Sequence, residues 1–412
     1  MLMIIQILKW ILLLAEVVIA VPILYLCIIS ASAILTAHKR KAIKSSEQHN
    51  GKDEDLPNFA ILIPAHNEEV LLGKLLDSLY ELNYPRERYT VYVVADNCTD
   101  STATLARARG WIRLYERFDT TKRGKGYALN WLMEQLEASK CIHDAYVILD
   151  ADSVVVPDFL HAMAQELVQG AHALQGHNTV LNTTDAPGTV LRWIALTLMN
   201  HVRTLGRNGI GASSTITGNG VCLSRTLLEH YPWQSYALSE DYQYYLSLVL
   251  SGERVHYVPE ALVRSHMPTT FAQMRTQDIR WEAHEDTGKK WRTAWQLLRT
   301  GLQQRDFVRL EAIAELLTPP LSLLIGSSIV AFVASILLEA RLELWLSLLV
   351  IAGLIGYIAS ALYLLHAPRT VYRALLYAPG FMLWKLWVYF VLSRSKKHTS
   401  EWVRTKRPTS LQ

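Results

Sequence analysis

VILDADS, residues 147–153, ends an apolar run with two carboxylates one residue apart, Asp150 and Asp152. Hard oxygen ligands at this spacing suit Mg²⁺ or Mn²⁺, which are held by one or two carboxylates plus the phosphates of a substrate. A strand closing in a polar turn would use the same residues, so the pair gains meaning only from company. Similar endings occur earlier: AHNEE follows FAILIP, bringing His66 and Glu68, and Asp96 follows VYVV. GKGYAL, residues 124–129, places Lys125 in a glycine-rich turn. It matches neither common nucleotide loop. The third glycine of a dinucleotide fingerprint is missing, and Asp119 and Gly126 stand where a phosphate loop needs its first glycine and its Ser/Thr.

The elements that would carry these residues lie between about Pro57 and Lys290, where short apolar runs alternate with helical segments. FAILIP, VYVVAD and AYVILD each have the pattern of a strand buried on both faces. STATLARARG reads as a helix capped near Asp100 or Ser101 and ended by Gly110, and KGYALNWLMEQLEASK as another. Alternating strands and helices predict βαβ units around a parallel sheet. Ligands of such sheets bind at the carboxyl ends of the strands, where the three polar endings converge.

Over its 412 residues the chain is 50% hydrophobic and only 19% charged, with the apolar excess at the two ends. Its net charge of +4 is too small to imply a nucleic-acid partner. Four cysteines, Cys27, Cys98, Cys141 and Cys222, form no CxxC pair, which argues against a disulfide framework or zinc site and fits a reducing compartment. Trp10 to Leu35 is long enough to cross a hydrocarbon core of about 30 Å as a retained helix. Lys39, Arg40, Lys41 and Lys44 follow it, so this flank is expected in the cytoplasm and the N-terminus outside.

Ile313–Leu338 and Leu344–Leu365 read as a hairpin that leaves and re-enters, and Leu375–Leu392, with basic flanks on both sides, as a helix lying in the interface. Glu16 and Glu315 fall near the ends of apolar segments, and both are expected to snorkel to the interface. The expected layout is a transmembrane helix at 1–37, a basic and polar linker at 38–56 and a cytoplasmic α/β domain at 57–290. Interfacial helices at 291–312, a transmembrane hairpin at 313–366, and an interfacial helix with a basic tail at 367–412 complete it. The expected location is the inner, cytoplasmic membrane.

In chain order the sequence carries PAHNEE (64–69), VVADNCTD (93–100), RGKGYALN (123–130), DADS (150–153), TGNG (217–220), SED (239–241) and QDIRW (277–281). This set resembles the family 2 glycosyltransferases with a GT-A fold, particularly the membrane-embedded cellulose, chitin, hyaluronan and poly-N-acetylglucosamine synthases. The resemblance implies a Rossmann-like, mostly parallel sheet and a hexosyltransferase that uses Mg²⁺ or Mn²⁺. It also implies roles. Asp96 would hold the uridine of a nucleotide-sugar donor, with His66 and Glu68 nearby and Lys125 by the diphosphate. Asp150 and Asp152 would hold the metal, and Asp241 would be the catalytic base, with Glu240 competing for that role. Gln277, Arg280 and Trp281 would grip the leaving diphosphate and the acceptor. The family pattern is altered at Ser239, Asp278 and His266, the last two on the acceptor side.

The chemistry asks for these residue types independently. Breaking a sugar to diphosphate bond builds negative charge that a divalent ion and a fixed cation stabilise. An attacking hydroxyl needs a carboxylate within hydrogen-bond reach. Each residue also has a structural reading: Asp241 as a helix cap, Trp281 as packing beside Trp291 and Trp295, His66 as a loop histidine. The functional expectation is inverting transfer from a UDP-hexose or UDP-N-acetylhexosamine to a growing β-linked polysaccharide, with an oligomer or secretion partner completing export. The alternatives are single addition to a membrane lipid and a non-catalytic receptor for nucleotide sugars.

Overall fold

Phe59–Ala65 is buried at every position except the half-exposed Pro64, the pattern of a strand covered on both faces. The computed structural model describes residues 2–44, 56–183, 185–234, 240–270, 273–274, 277 and 287–394. These form two units, one drawn from Glu47–Leu196 and Ser213–Glu285, the other from Met1–Ser46, Thr197–Ala212 and Asp286–Arg394.

The first unit is built on an eight-stranded sheet. Its strands are β1 (Phe59–Ala65), β2 (Tyr89–Asp96), β3 (Arg113–Arg117), β4 (Ala145–Ile148), β5 (Ser153–Val155), β6 (Ala173–Val180), β7 (Val221–Ser224) and β8 (Val255–Ser265). They lie in the order β3-β2-β1-β4-β7-β6-β8-β5. The βαβ half, β3-β2-β1-β4, is wholly parallel. In the other half, β7 runs antiparallel to β4 and β6, β5 runs antiparallel to β8, and only β6 and β8 run parallel. The sheet is therefore mixed but mostly parallel, as expected, with β7 and β5 running against the other six strands. Leu72, Leu75, Leu76 and Leu79, one stripe of the helix Leu72–Tyr80, are buried with Ile61, Ile63, Val91, Val93 and Val147 in a single core.

In the second unit, helix Leu2–Lys44 continues without a break into the residues read as the linker. Among the described residues, that helix and Arg341–Leu364 are long and apolar enough to cross a membrane. The segment read as one span at 313–338 is two helices, Phe307–Leu317 and Leu321–Leu337, bent by 65°. Pro319 and Pro320 fall in the break, where a proline ring and its missing N–H prevent helix continuation.

The helix Thr204–Gly209 approaches Leu2–Lys44 closely, since a Cβ on Gly206 would lie 2.1 Å from the Ile29 carbonyl oxygen. Ser32 Oγ donates to the Gly206 carbonyl at 2.8 Å. Nearby, Arg207 makes a two-pronged pair with Glu311, Nε to Oε1 at 2.7 Å and Nη2 to Oε2 at 2.8 Å. Tyr25 donates to Glu311 at 2.6 Å and Arg203 to Glu315 at 2.6 Å. Glu16 is 1% exposed and accepts from Ser347 Oγ at 2.6 Å. Neither glutamate snorkels. Partners remote in sequence hold both inside the unit, because an isolated charge among apolar helices is costly.

Candidate active site

β2, β1 and β4 are parallel neighbours, so their carboxyl ends open on one edge of the sheet. The three polar endings meet there. At the end of β2, Asp96 is 6% exposed, and its Oδ1 accepts from Arg117 Nη1 at 2.6 Å and Asn97 Nδ2 at 3.0 Å. Arg117 closes β3 and also donates to Asp119 at 3.0 Å and to the Lys122 carbonyl at 2.8 Å. His66 Nδ1 lies 2.6 Å from the Asp96 carbonyl oxygen, and the Glu68 N–H donates to Thr102 Oγ1 at 2.8 Å. His66, Glu68 and Asp96 are thus gathered around the ends of two adjacent strands. Arg117 neutralises the acid at the centre.

Lys125 opens the helix Lys125–Ala138. Its Nζ is 2.5 Å from Asp150 Oδ1 and also donates to the Gly218 carbonyl. Gly218 has φ of 74°, and a Cβ there would lie 2.8 Å from Asp241 Oδ2. A side chain at 218 would be strained by the backbone and would press on that carboxylate. Asp241 lies in the first turn of helix Glu240–Ser251, and its Oδ1 accepts the Tyr242 N–H at 2.8 Å. One oxygen thus satisfies a first-turn N–H while the other faces Gly218. Lys125, Asp150, Gly218 and Asp241 form one continuous group, although they come from four separate segments.

Burial shapes the charges of this group. It pushes the Asp241 carboxyl above its ordinary range, with the Lys125 ammonium opposing. Burial and then the Asp241 charge push Glu240 up to about 7, again against Lys125. Burial alone would lower the Lys125 pKa, but Asp150, Glu240 and Asp241 more than reverse this and raise it. The ammonium is the counterion of a crowded acidic cluster.

Asp152 lies between β4 and β5, and its backbone carbonyl accepts the His266 N–H at 3.1 Å. Among the described residues, no group of three or more His, Cys, Asp or Glu side chains is assembled to hold a metal ion. Asp150 and Asp152, both just past the end of β4, offer hard oxygen donors of the kind Mg²⁺ or Mn²⁺ takes together with phosphates and water. Gln277 is 5% exposed and accepts from Arg192 through Oε1. Arg280 and Trp281 lie outside the described residues.

Several residues of the site escape a reading of the sequence. Arg117 pairs with an acid 21 residues away. Asn219 donates to Ser153 and Ser265 and accepts from the Asp150 N–H, and Gln175 grips the backbone around Gly218. TGNG marks the loop, but its glycines reveal neither Asn219 nor its partners. Arg117 is visible only as the last residue of a strand that the pattern did not show.

The arrangement holds a cation against one carboxylate and a second, raised carboxylate across one glycine, on a strand-end edge. The model of the family described as Glycosyltransferase like family 2 matches residues 57–283, more than half of the chain. The chain belongs to the family 2 glycosyltransferases. This glycosyltransferase is similar to the probable glycosyltransferase YdaM of Bacillus subtilis, 26% identical over 241 residues, covering 55% of each chain. It is also similar to the β-monoglucosyldiacylglycerol synthase of Nostoc, 24% identical over 262 residues, 62% of this chain and 55% of that one. With the poly-β-1,6-N-acetyl-D-glucosamine synthase of Staphylococcus aureus it shares 23% over 237 residues, 55% of this chain and 54% of the other. The glycosyltransferase thus spans about half the length of the curated relatives it matches. The mannosyltransferase PcManGT of Pyrobaculum calidifontis, solved with GDP-Man and Mn²⁺, superposes with a TM-score of 0.51 at 18% identity. That match covers 87% of this chain and 99% of the other. The fold is GT-A-like, with its mixed sheet of eight strands.

Proposed function

We propose that this glycosyltransferase moves a hexose or N-acetylhexosamine from a UDP-sugar, with inversion, to the growing end of a β-linked saccharide at a membrane. The observation that carries the reading is the single group formed by Lys125, Asp150, Gly218 and Asp241. An acceptor hydroxyl gives its proton to Asp241 as its oxygen attacks the anomeric carbon, and the bond to the diphosphate oxygen breaks on the opposite face. An α-linked donor therefore gives a β product. Lys125 stabilises the charge gathering on the departing UDP. Asp150 and Asp152 would hold Mg²⁺ or Mn²⁺, which when bound supplies further neutralisation of the diphosphate. His66, Glu68 and Asp96 would form the uridine wall, and Glu240, Gln277, Arg280 and Trp281 the acceptor and diphosphate side.

A polymeric acceptor is supported by the likeness to the poly-β-1,6-N-acetyl-D-glucosamine synthase. A second reading, single addition to a membrane lipid, is favoured by the match to β-monoglucosyldiacylglycerol synthases in Nostoc and Synechocystis. Both place the acceptor at a membrane, where the two candidate spanning helices would hold the chain. Purified protein in lipid, incubated with Mn²⁺ and a panel of radiolabelled UDP-sugars, tests the proposal. High-molecular-weight product destroyed by a β-glycosidase is expected. A single organic-extractable product would establish the lipid reading instead, and binding without turnover of any donor would leave only a receptor.

A further inference from the structure

TGNG, residues 217–220, has no assigned role in the chemistry, yet its central dipeptide contacts Lys125 and the Asp150 backbone and borders Asp241. Asn219 is 1% exposed. Its Oδ1 accepts the Asp150 backbone N–H at 3.0 Å, and its Nδ2 donates to Ser153 Oγ and Ser265 Oγ, both at 2.8 Å. A backbone N–H can only donate, so the amide orientation is fixed and both of its N–H groups are used. The neighbouring Gly218 carbonyl receives the Lys125 ammonium, and the Gly218 Cα faces Asp241. Gln175, also 1% exposed, clamps the dipeptide from behind: Nε2 donates to the Asn219 carbonyl at 2.8 Å, and Oε1 accepts the Thr217 N–H at 2.9 Å.

From these contacts we propose that Asn219 is a positioning residue that holds Asp150 in register with Lys125 and, through Gly218, with Asp241. The assignment rests on the glycosyltransferase reading above. The physical reason is a shared lever. Asp150 carries its carboxylate on a turn just past β4, where the backbone sets how far it reaches toward Lys125. Fixing its N–H to the loop that also holds Lys125 and borders Asp241 gives donor and base groups one common reference. Interactions of this kind around a metal or phosphate ligand are worth about 10–100-fold in affinity or activity.

Two variants test it in the full chain. Asn219→Ala removes every side-chain contact. Asn219→Asp keeps an acceptor for the Asp150 N–H, and the two serine hydroxyls can turn to donate to the new carboxylate. In Asn219→Ala, amide exchange of residues 148–153, followed by mass spectrometry, should quicken while β1 and β2 keep their protection. Binding of Mn²⁺ with UDP should weaken about 10-fold or more, and kcat should fall at saturating donor. Asn219→Asp should restore the protection and most of the binding. The proposal is overturned if Asn219→Ala exchanges like the wild type, if protection is lost evenly across the sheet, or if Asn219→Asp is no better than Asn219→Ala. Wild-type protein that binds no UDP with Mn²⁺ would instead defeat the UDP-sugar reading, while the exchange result would still decide the positioning role.

Discussion

Asp241 gains its proposed basicity from burial, and burial also sets what its removal should cost. Asp241→Asn keeps the shape, the Tyr242 contact and the space beside Gly218 but cannot take a proton. Transfer is expected to fall about 10²–10⁴-fold, the usual worth of a general base. UDP binding measured by calorimetry should stay within about 3-fold, and unchanged turnover would remove Asp241 from the mechanism. Glu240 offers a test of the cluster's charge. Its carboxyl ordinarily titrates at 4.5 and is pushed up to about 7 here. Between those values the folded state holds a proton that the unfolded chain releases, so stability from this group is full below about 4.5 and falls as pH rises through about 7. Thermal melting of the ligand-free protein should show this slope, and Glu240→Gln should flatten it. A slope of the same size in the variant would place the proton elsewhere.

Residues at the ends of long apolar runs could be read from sequence, because a strand end is marked by the run itself: Asp96, Asp150 and the PAHNEE turn all lie this way. Arg117, Gln175 and Asn219 could not. Their roles come from pairing with segments 21, 42 and 69 residues away, which no local pattern records.

Among the elements, β1, β2 and β4 were legible for the same reason, and the helix Lys125–Ala138 through its length. β5 and β7 are only 3 and 4 residues long, too short for alternation to show, so the two antiparallel strands stayed hidden. The apolar helices were legible by composition, but their polar contacts were not. Arg207 and Glu311 have side chains 1% and 4% exposed and are 104 residues apart. Each leans chiefly on the other, with Glu315 a more distant 3.9 Å from Arg207, and a buried charge stripped of its two-pronged partner costs far more than the pair contributes. Glu311→Ala is expected to destabilise its unit by about 3–5 kcal/mol. The double variant Glu311→Ala with Arg207→Leu should recover much of that loss, because no uncompensated charge remains. Unfolding of both in detergent, read by the loss of helical signal, is the measurement. Equal destabilisation of single and double variants would mean that packing, not charge, dominates there.

For the whole molecule, the basic residues beside the first apolar helix carry a prediction about sidedness. Lys39, Arg40, Lys41 and Lys44 follow Trp10–Leu35, whereas Lys9 stands alone before it. Positive charge concentrates on the cytoplasmic flank of a span, so the end carrying four cations should stay inside. The family domain at 57–283 follows that flank and should lie on the same side. An N-terminal epitope tag should then be removed by protease added to right-side-out vesicles while the 57–283 region survives, and inside-out vesicles should give the reverse. Protection of the tag together with digestion of the domain would reverse the orientation. Such a result would also sever the proposed active site from its donor, since UDP-sugars do not cross an apolar core unaided: the diphosphate charges have no partner there to offset the cost of entering it.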